Sequence, residues 1–230
     1  MTAKRRTRPV IAIDGPVGAG KSTVARELAL ALGFTYLNTG AMYRAVAIAA
    51  RDAGIARDAS HLEERLMPVL DSLSIRFEGN ELLLNGRSVT EQLSDPTVGD
   101  LASQFSTIES VRSRLRTLQR EAGAAGGVVM EGRDIGTAVF SDAEFKFFLE
   151  ADPQVRAQRR YLELKAKGVE IDADQVLEQL LERDRRDRGR EIAPLKPAAD
   201  ARIIDCSRLT IDQVVERMRG DIQRDRIERT

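Results

Sequence analysis

The segment GPVGAGKS, residues 15–22, holds three glycines and a single lysine. It matches the Walker A pattern G-x-x-x-x-G-K-[ST], in which glycines let successive backbone N–H groups turn toward phosphate oxygens. The start of the following helix adds partial positive charge. In this pattern Lys21 bridges the β and γ phosphates of a nucleoside triphosphate, and the Ser22 hydroxyl ligates Mg²⁺. We therefore predict a nucleoside triphosphate site made of Gly15, Pro16, Val17, Gly18, Ala19, Gly20, Lys21, Ser22 and Thr23.

Three groups of charged side chains lie further along the chain. They are Tyr43 and Arg44 in TGAMYRA, Arg133 and Asp134 in EGRDIGT, and the dense segment RDRRDRGR at residues 183–190. The second group ends an apolar run, and in open α/β sheets ligands bind at the carboxyl ends of the strands. Phosphoryl transfer requires mainly positioning and neutralisation of charge, which arginines supply. An arginine-rich helix can also be a solvated face, so both interpretations of residues 183–190 stay open.

The elements around the glycine loop alternate between strand and helix. PVIAID predicts a buried strand, and KSTVARELALALG predicts a helix that ends at Gly33. FTYLNTG, GGVVMEG, AEFKFFLE and ARIIDC predict further strands, and helices are expected over 153–167, 173–187 and TIDQVVERMR. Asp152 and the pair Thr210 and Gln213 provide helix N-caps. The fold class predicted is α/β, with a parallel sheet of the P-loop NTPase type flanked by helices.

One stretch breaks this alternation. SIRFEGNELLLNGRSVT predicts short antiparallel strands with turns at Gly79-Asn80 and Asn85-Gly86, and therefore a small subdomain. A helix is expected over about 60–72, opened by a capping box of Ser60 and Glu63, which leaves His61 at the surface.

Composition limits the classes of function. The 230 residues are 42% hydrophobic and carry zero formal net charge, so the overall charge favours neither a nucleic-acid nor a membrane partner. A single cysteine, Cys206, excludes an internal disulfide and indicates a buried thiol and a reducing, cytoplasmic location. The apolar run at 10–13 is too short for a membrane span. The basic residues 1–9 predict a disordered tail, with nucleic-acid binding by that tail as the alternative.

Several classes of protein use a Walker A loop, and the remaining residues favour a small kinase. The sequence contains neither NKxD nor TKxD, the tetrapeptides expected of a guanine-binding switch. With only one histidine, an acceptor that is already an ionised phosphate is compatible, because it requires no imidazole base. Another small-molecule P-loop kinase, acting on shikimate or a different nucleotide base, remains the alternative within this class. A nucleotide-dependent switch that hydrolyses slowly remains the alternative outside it.

Four motifs in order, IDGPVGAGKST, YLNTGAMYRA, EGRDIGT and ERDRRDRGREIAPL, together resemble the bacterial cytidylate kinases. The resemblance runs from about Ile11 to the last helix and includes the SIRFEGNELLLNG insertion. It implies a nucleoside monophosphate kinase domain over 10–230, with an acceptor-binding insertion at about 60–106 and a short lid at about 153–170. It also implies that the protein uses ATP and Mg²⁺ to convert CMP and dCMP to CDP and dCDP. We expect a cytoplasmic monomer without nucleic-acid or membrane partners.

The resemblance also implies roles for individual residues. The cytosine would be contacted by Thr39 and Arg112, with Asp134 and Arg190 beside them. The sugar would be contacted by Ser103, Arg183 and Asp187, with Tyr43 lining the pocket. Arg44 and Arg133 would hold the acceptor phosphate. The residues acting on the transferred group would be Lys21, Arg133, Arg159 and Arg160.

The lid assignment rests on Arg156, Arg159 and Arg160, which share one face of a helix at i, i+3 and i+4. The alternative is a solvent-facing helix in which Glu163 pairs with these arginines. Two positions depart from the common family pattern, in which a serine often stands at Thr39 and an aspartate at Glu131. Whether Glu131 contacts the site or caps the strand end stays open.

Overall fold

The computed structural model describes residues 6–56, 58–79 and 81–228. The chain divides into two compact units, one made of Met1–Tyr36 and Ala125–Thr230 and the other of Leu37–Ala124. The second unit extends on both sides of the insertion predicted at about 60–106. Of the predicted tail, residues 1–5 lie outside the described residues. Arg6 pairs with Asp142 at 2.8 Å, so this part of the predicted tail contacts the first unit.

The first unit is built on a parallel sheet with the strands β1 (Val10–Asp14), β2 (Thr35–Asn38), β6 (Val128–Gly132), β7 (Phe145–Glu150) and β8 (Arg202–Asp205). The strand order is β2-β6-β1-β7-β8, and the division between the units falls inside β2. β1 pairs in parallel with β6 and β7, and β7 pairs in parallel with β8. Every residue of β1 and β6 is buried, which explains their continuous apolar runs. The predicted parallel sheet is confirmed.

Among the described residues of this unit, the α-helices are α1 (Lys21–Leu32), α6 (Pro153–Ala166), α7 (Ala173–Arg188) and α8 (Ile211–Glu228). α1 packs against α8, and their apolar residues join Ile11, Ile13 and Phe147 in one core cluster. α1 ends at Gly33, which adopts φ 61°, the left-handed conformation that a glycine accommodates at a helix end. The predicted caps are confirmed, because Asp152 accepts from the Gln154 amide and Thr210 and Gln213 bond reciprocally.

The single cysteine lies in this unit, directly after β8. Cys206 is 3% exposed, its amide donates to the Glu150 carbonyl at 2.7 Å, and burial raises the pKa of its thiol to about 11. The predicted burial of Cys206 is confirmed, and the thiol is protonated at neutral pH.

The second unit combines four helices with a small antiparallel sheet. The helices are α2 (Thr39–Asp52), α3 (Leu62–Asp71), α4 (Pro96–Phe105) and α5 (Glu109–Gly123), and the strands are β3 (Ile75–Glu78), β4 (Glu81–Leu84) and β5 (Arg87–Ser88). β4 pairs antiparallel with β3 and β5, which confirms the predicted antiparallel strands. Asn85 and Gly86 have φ of 50° and 81° and form the predicted turn, whereas Asn80 lies outside the described residues.

The start of α3 differs from the prediction. The helix begins at Leu62, its N-cap is His61 with φ 56°, and no side chain caps it within the described part of the chain. The predicted capping box of Ser60 and Glu63 is therefore wrong, because Glu63 instead accepts from the Ser110 amide of α5. This contact between helices decides where Glu63 points. The predicted surface position of His61 is confirmed, since its side chain is 74% exposed.

The sheet provides a direct test of where the core lies. Phe147 is 1% exposed in β7 and pairs with Ile13 of β1, so the Phe147→Ala change should leave a cavity and lower the free energy of unfolding by about 3–5 kcal/mol. Ile203 lies in the neighbouring strand β8 but is 52% exposed, and Ile203→Ala should cost about 0.5 kcal/mol or less. Urea denaturation followed by circular dichroism measures both. Equal losses in the two variants would contradict this account of the core.

Candidate active site

The Walker A loop occupies the six residues between β1 and α1. Gly18 and Gly20 adopt φ of 75° and 88°, and Gly20 is the N-cap of α1. The first turn of α1 contains no acidic residue, so nothing on the helix itself neutralises the partial positive charge of its amino end. The predicted order of strand, glycine loop and helix is confirmed, and this arrangement suits an anion.

Two glycines of the loop are required by close packing. At Gly15, which has φ 148°, an added Cβ would collide with the backbone carbonyl oxygen of Leu149 in β7. At Gly18, an added Cβ would lie 3.0 Å from Cβ of Arg156 and 3.1 Å from its carbonyl oxygen. The loop is therefore held against β7 and α6.

Lys21 is the first residue of α1 and is only 6% exposed. Its Nζ donates to the carbonyl oxygen of Pro16 at 2.7 Å, so the side chain folds back over the loop. Burial, with a further contribution from Arg133, lowers the pKa of Lys21 to about 7. A phosphate placed here would restore the charged form of the amine by supplying opposite charge.

A cluster of opposite charges lies around Asp187 near the carboxyl end of α7. Arg133, directly after β6, donates from Nε to Asp187 at 3.0 Å, and Arg190 pairs with the same carboxylate. Asp187 is 1% exposed, and although burial opposes its ionisation, Arg133, Arg190 and Arg183 hold its pKa below the ordinary value. The structure thus brings together Lys21 and three predicted acceptor-site arginines in one electrostatic environment.

Asp14 is a buried acid that the sequence reasoning missed. It ends β1, is 4% exposed, and accepts from the amides of Ile135 and Gly136 at 2.8 Å each. These amides belong to the π-helical turn Ile135–Val139 that follows Asp134. Burial raises the pKa of Asp14 to about 7. The available signal was an acidic residue at the end of an apolar run, directly before Gly15.

Tyr36 of β2 and Glu131 of β6 also meet beside the loop. The Tyr36 hydroxyl donates to Glu131 Oε1 at 2.8 Å. Burial, and next the Glu131 charge, raise the pKa of Tyr36 above its ordinary value, so the phenol keeps its proton. Glu131 therefore accepts a hydrogen bond from the neighbouring strand β2, and a contact between Glu131 and the site stays a prediction.

The oxygen atoms beside the loop fit a hard divalent cation. Mg²⁺ takes oxygen ligands, and in P-loop proteins one of them is the hydroxyl that follows the lysine. Here that hydroxyl belongs to Ser22, in the first turn of α1. Ser22 is the residue that would ligate the cation.

The three arginines of α6 make three different contacts. Arg156 is 2% exposed, donates to the Val17 carbonyl at 3.0 Å and pairs with Asp184 of α7 at 2.7 Å. Arg159 donates to the carbonyl oxygen of Cys206 at 2.7 Å. Arg156 thus anchors the P-loop to α7, a role that spacing along the helix does not predict.

Arg160 is the third of these arginines. It pairs with Glu163 at 2.8 Å, the contact expected from a solvent-facing helix. Lid closure over a transferring phosphoryl group stays a prediction for Arg159 and Arg160.

The other predicted acceptor residues belong to the second unit. Thr39 begins α2 and is 3% exposed, and Ser103 in α4 is 5% exposed. The guanidinium of Arg112 lies 5.9 Å from the ring centre of Tyr43, and its Nη1 donates to the Ser106 carbonyl at 3.0 Å. Arg112 is a buried cation stacked near an aromatic face, an arrangement that resists displacement.

Arg44 lies beside α4 within the same unit. A Cβ added at Gly99 would be 3.8 Å from its Nε, so the absence of a side chain at Gly99 leaves room for the guanidinium. The structure therefore gathers Thr39, Tyr43, Arg44, Ser103 and Arg112 within the second unit, while Arg133, Asp134, Arg183, Asp187 and Arg190 belong to the first.

A parallel sheet, a Walker A loop and a buried lysine at the start of α1 define a P-loop phosphotransferase fold. The sequence matches the cytidylate kinase family over residues 11–224, and the chain belongs to that family. The cytidylate kinase of Syntrophotalea carbinolica is 49% identical over 210 residues, which cover 91% of this chain and 89% of that protein. The cytidylate kinase of Pelotomaculum thermopropionicum is 50% identical over 210 residues, 90% of this chain and 93% of that protein.

One solved structure shares the fold at low identity. It is an uncharacterized protein from Eubacterium ventriosum, with a TM-score of 0.51 and 15% identity over 94% of this chain and 99% of that one. Within the described ranges, none of the helices is long and apolar enough to cross a lipid bilayer.

The close packing of Gly15 yields a testable consequence. Gly15→Ala should destabilise the protein by about 2 kcal/mol or more and abolish ATP binding, because the new methyl group must displace β7 or the loop. Gly33→Ala is the matched control: its φ is also positive, but nothing lies within 4 Å, so only backbone strain of about 1 kcal/mol is expected. Thermal unfolding and calorimetric titration with ATP measure both effects. Normal ATP binding by Gly15→Ala would refute the packing argument.

The lowered pKa of Lys21 predicts a pH dependence of stability. Between pH 7 and the ordinary value of 10.5, the unfolded chain binds a proton at Lys21 that the folded chain does not. The free energy of unfolding of the wild type should therefore rise with pH in this window relative to Lys21→Met, by at most about 1.4 kcal/mol per pH unit. Urea denaturation of the nucleotide-free protein at pH 7, 8 and 9 measures the difference.

The control for this measurement is Lys167→Met, since the Lys167 side chain is 47% exposed and pairs with Glu163 at the surface. Its difference from the wild type should stay constant over the same range. A constant difference for Lys21→Met as well would show that the buried amine is charged in the folded protein.

Proposed function

We propose that the protein transfers the γ-phosphoryl group of ATP to the phosphate of CMP or dCMP, giving ADP and CDP or dCDP. The observation that carries this proposal is the match to the cytidylate kinase family over residues 11–224, together with relatives of that name that are about half identical. The single buried cysteine favours a reducing location, the cytoplasm, and we propose that the enzyme acts there as a monomer.

The P-loop and Lys21 act on the donor nucleotide. Backbone amides of the loop and of the first turn of α1 bind the phosphate tail, and the helix end contributes positive charge. Lys21 leaves the Pro16 carbonyl to reach the phosphates, and the negative charge there keeps its amine protonated. The charge that develops on the transferred group is thereby neutralised by the Lys21 ammonium once it has moved from the Pro16 carbonyl to the phosphates.

Arg133 acts on the acceptor phosphate. Asp187 holds its Nε edge and the Gly132 carbonyl accepts from its Nη1, so the guanidinium is oriented before substrate arrives. An oriented guanidinium can donate parallel hydrogen bonds to two phosphate oxygens. The acceptor oxygen is already ionised, and the reaction therefore needs positioning and no side-chain base.

The remaining predicted residues recognise the nucleoside. Buried hydroxyl, guanidinium and carboxylate groups offer the hydrogen bonds that a cytosine edge and a sugar require. A different base would leave some of these buried groups without a hydrogen-bond partner, which would lower its binding free energy. We assign the cytosine to Thr39, Arg112, Asp134 and Arg190, the sugar to Ser103, Arg183 and Asp187, and the acceptor phosphate to Arg44 and Arg133. Tyr43 lines this pocket, and its ring is held against Arg112.

Movement of α6 toward the phosphates and a bound Mg²⁺ ion complete the proposed mechanism. Arg159 and Arg160 would contribute further positive charge when the helix that carries them closes over the phosphates. Mg²⁺, ligated by Ser22 and bound to ATP, would screen the phosphate charges during transfer.

The proposal predicts a narrow choice of acceptor. In a coupled assay of ADP release, CMP and dCMP should support turnover at least about a hundredfold above UMP, AMP, GMP and shikimate, because buried polar groups reject a mismatched base. Equal turnover with another acceptor would assign the enzyme to a different small-molecule kinase. ATP or GTP hydrolysis that needs no acceptor would indicate a nucleotide-dependent switch instead.

Lys21→Ala is the control for this assay. It should reduce CMP-dependent turnover by about three orders of magnitude, since a positioned charge acting on the transition state is lost. Its binding of CMP, measured by calorimetry, should remain, because the acceptor residues lie elsewhere in the chain. Turnover at the wild-type level would remove Lys21 from the mechanism.

A further inference from the structure

A buried arginine on α6 contacts three different parts of the first unit through one guanidinium group. Arg156 is 2% exposed. Its Nε donates to the carbonyl oxygen of Ala151, just after β7, at 2.9 Å, and its Nη1 donates to the carbonyl oxygen of Val17 in the P-loop at 3.0 Å. Its Nη2 pairs with Asp184 of α7 at 2.7 Å. All three nitrogens of a planar group are therefore engaged, which fixes the position of the guanidinium.

The hydrogen bond to Val17 also determines the direction of the next backbone amide. The carbonyl of Val17 and the N–H of Gly18 belong to one planar trans peptide unit, in which the two groups point in opposite directions. Since Arg156 holds the carbonyl, the N–H of Gly18 is directed away from Arg156. Loops of this kind bind phosphates through backbone N–H groups. The guanidinium thus orients one of the amides of the P-loop.

The buried residues of α7 change from apolar to acidic along the helix. They are Val176, Leu180, Asp184 and Asp187, whose spacing places them on one face. Asp184 pairs with Arg156, and its Oδ1 has no hydrogen-bond partner among the described residues, so Arg156 is the partner that the structure shows for this carboxylate. Asp187 pairs instead with Arg133, directly after β6, at 3.0 Å. Two acids one turn apart on α7 therefore hold two different arginines.

We infer that Arg156 and Asp184 are positioning residues for the donor nucleotide, because Asp184 holds the guanidinium that fixes the P-loop at Val17. The inference rests on the proposed use of ATP by this loop. It separates Asp184 from its neighbours on α7, since Arg183 and Asp187 are proposed to contact the acceptor. Without the carboxylate, the guanidinium would be a buried charge without a counterion and would lose one of its three contacts.

The experiment compares the two acids of α7 by calorimetric titration with ATP and, separately, with CMP. Asp184→Asn keeps the size of the side chain and removes its charge, and it should raise the dissociation constant of ATP by about tenfold, with a smaller rise for CMP. Asp187→Asn, the same change one turn further along α7, should give the reverse order, with the larger rise for CMP. A loss of helix packing alone would weaken the binding of both ligands to the same extent.

Two further variants test whether Asp184 acts through Arg156. Arg156→Lys keeps the charge but replaces the planar group by a single nitrogen, and it should also raise the dissociation constant of ATP by about tenfold. The double variant Arg156→Lys, Asp184→Asn should bind ATP no more weakly than the weaker single variant, because both changes act on one contact. Asp225→Asn is the control: it breaks an ion pair with Arg202 between α8 and β8 and should leave ATP binding as in the wild type.

Thermal melts show that each variant is folded at the temperature of titration, and Arg156→Lys provides the same test if Asp184→Asn does not fold. Unchanged ATP binding in Asp184→Asn, equal rises for ATP and CMP, or additive effects in the double variant overturns the inference. A wild type that binds ATP but not CMP would contradict the proposed acceptor, and the ATP titrations would still decide the role of Asp184. Absence of ATP binding by the wild type would contradict both.

Discussion

The parallel pairing of β1 between β6 and β7 is the interaction on which the rest of the first unit depends. Its register sets Asp14 opposite Gly132 on one side and Phe148 on the other. Since β1 leads into the P-loop and β6 leads into Arg133, this register brings the P-loop and Arg133 to the same edge of the sheet. Asp14 then joins the two ends directly, through the turn that begins at Ile135.

Burial of charge at that edge is the second constraint. Lys21 and Asp14 are both nearly inaccessible, and burial moves the pKa of each toward about 7 from opposite directions. Desolvation therefore disfavours the charged form of both side chains in the nucleotide-free protein. A phosphate placed at the loop would supply opposite charge to Lys21 and favour its protonated form.

Local sequence signals predicted most of the fold. Continuous apolar runs predicted β1 and β6. Gly33, Asp152 and Thr210 predicted helix ends, because caps form hydrogen bonds with residues close by in the sequence. The start of α3 was not predictable in this way, because Glu63 is engaged by a helix almost fifty residues later. Long-range packing overrode a local capping signal.

The residues of the candidate site also differ in whether the local sequence could predict them. The Walker A loop is contiguous and was predicted in full, whereas Asp14 and Tyr36 act through contacts with Gly136 and Glu131, which are about a hundred residues away in the chain. Arg156 shows a second limit of prediction from the sequence. Helical spacing groups it with Arg159 and Arg160, but only the tertiary structure shows its contact with Val17. Contacts of this kind leave no motif in the sequence, because the two partners are brought close only by folding.

The burial of Cys206 gives this protein an internal reporter. The thiol is the only one in the chain, stands next to the edge strand β8, and is 3% exposed with its carbonyl oxygen bound by Arg159. A thiol reagent can modify Cys206 only in molecules in which the β8 edge of the sheet has opened locally. The rate of labelling therefore reports how often this local opening occurs in the native protein. A nucleotide that stabilises the P-loop and α6 would slow this labelling. The native cysteine therefore allows local opening to be measured without an engineered cysteine.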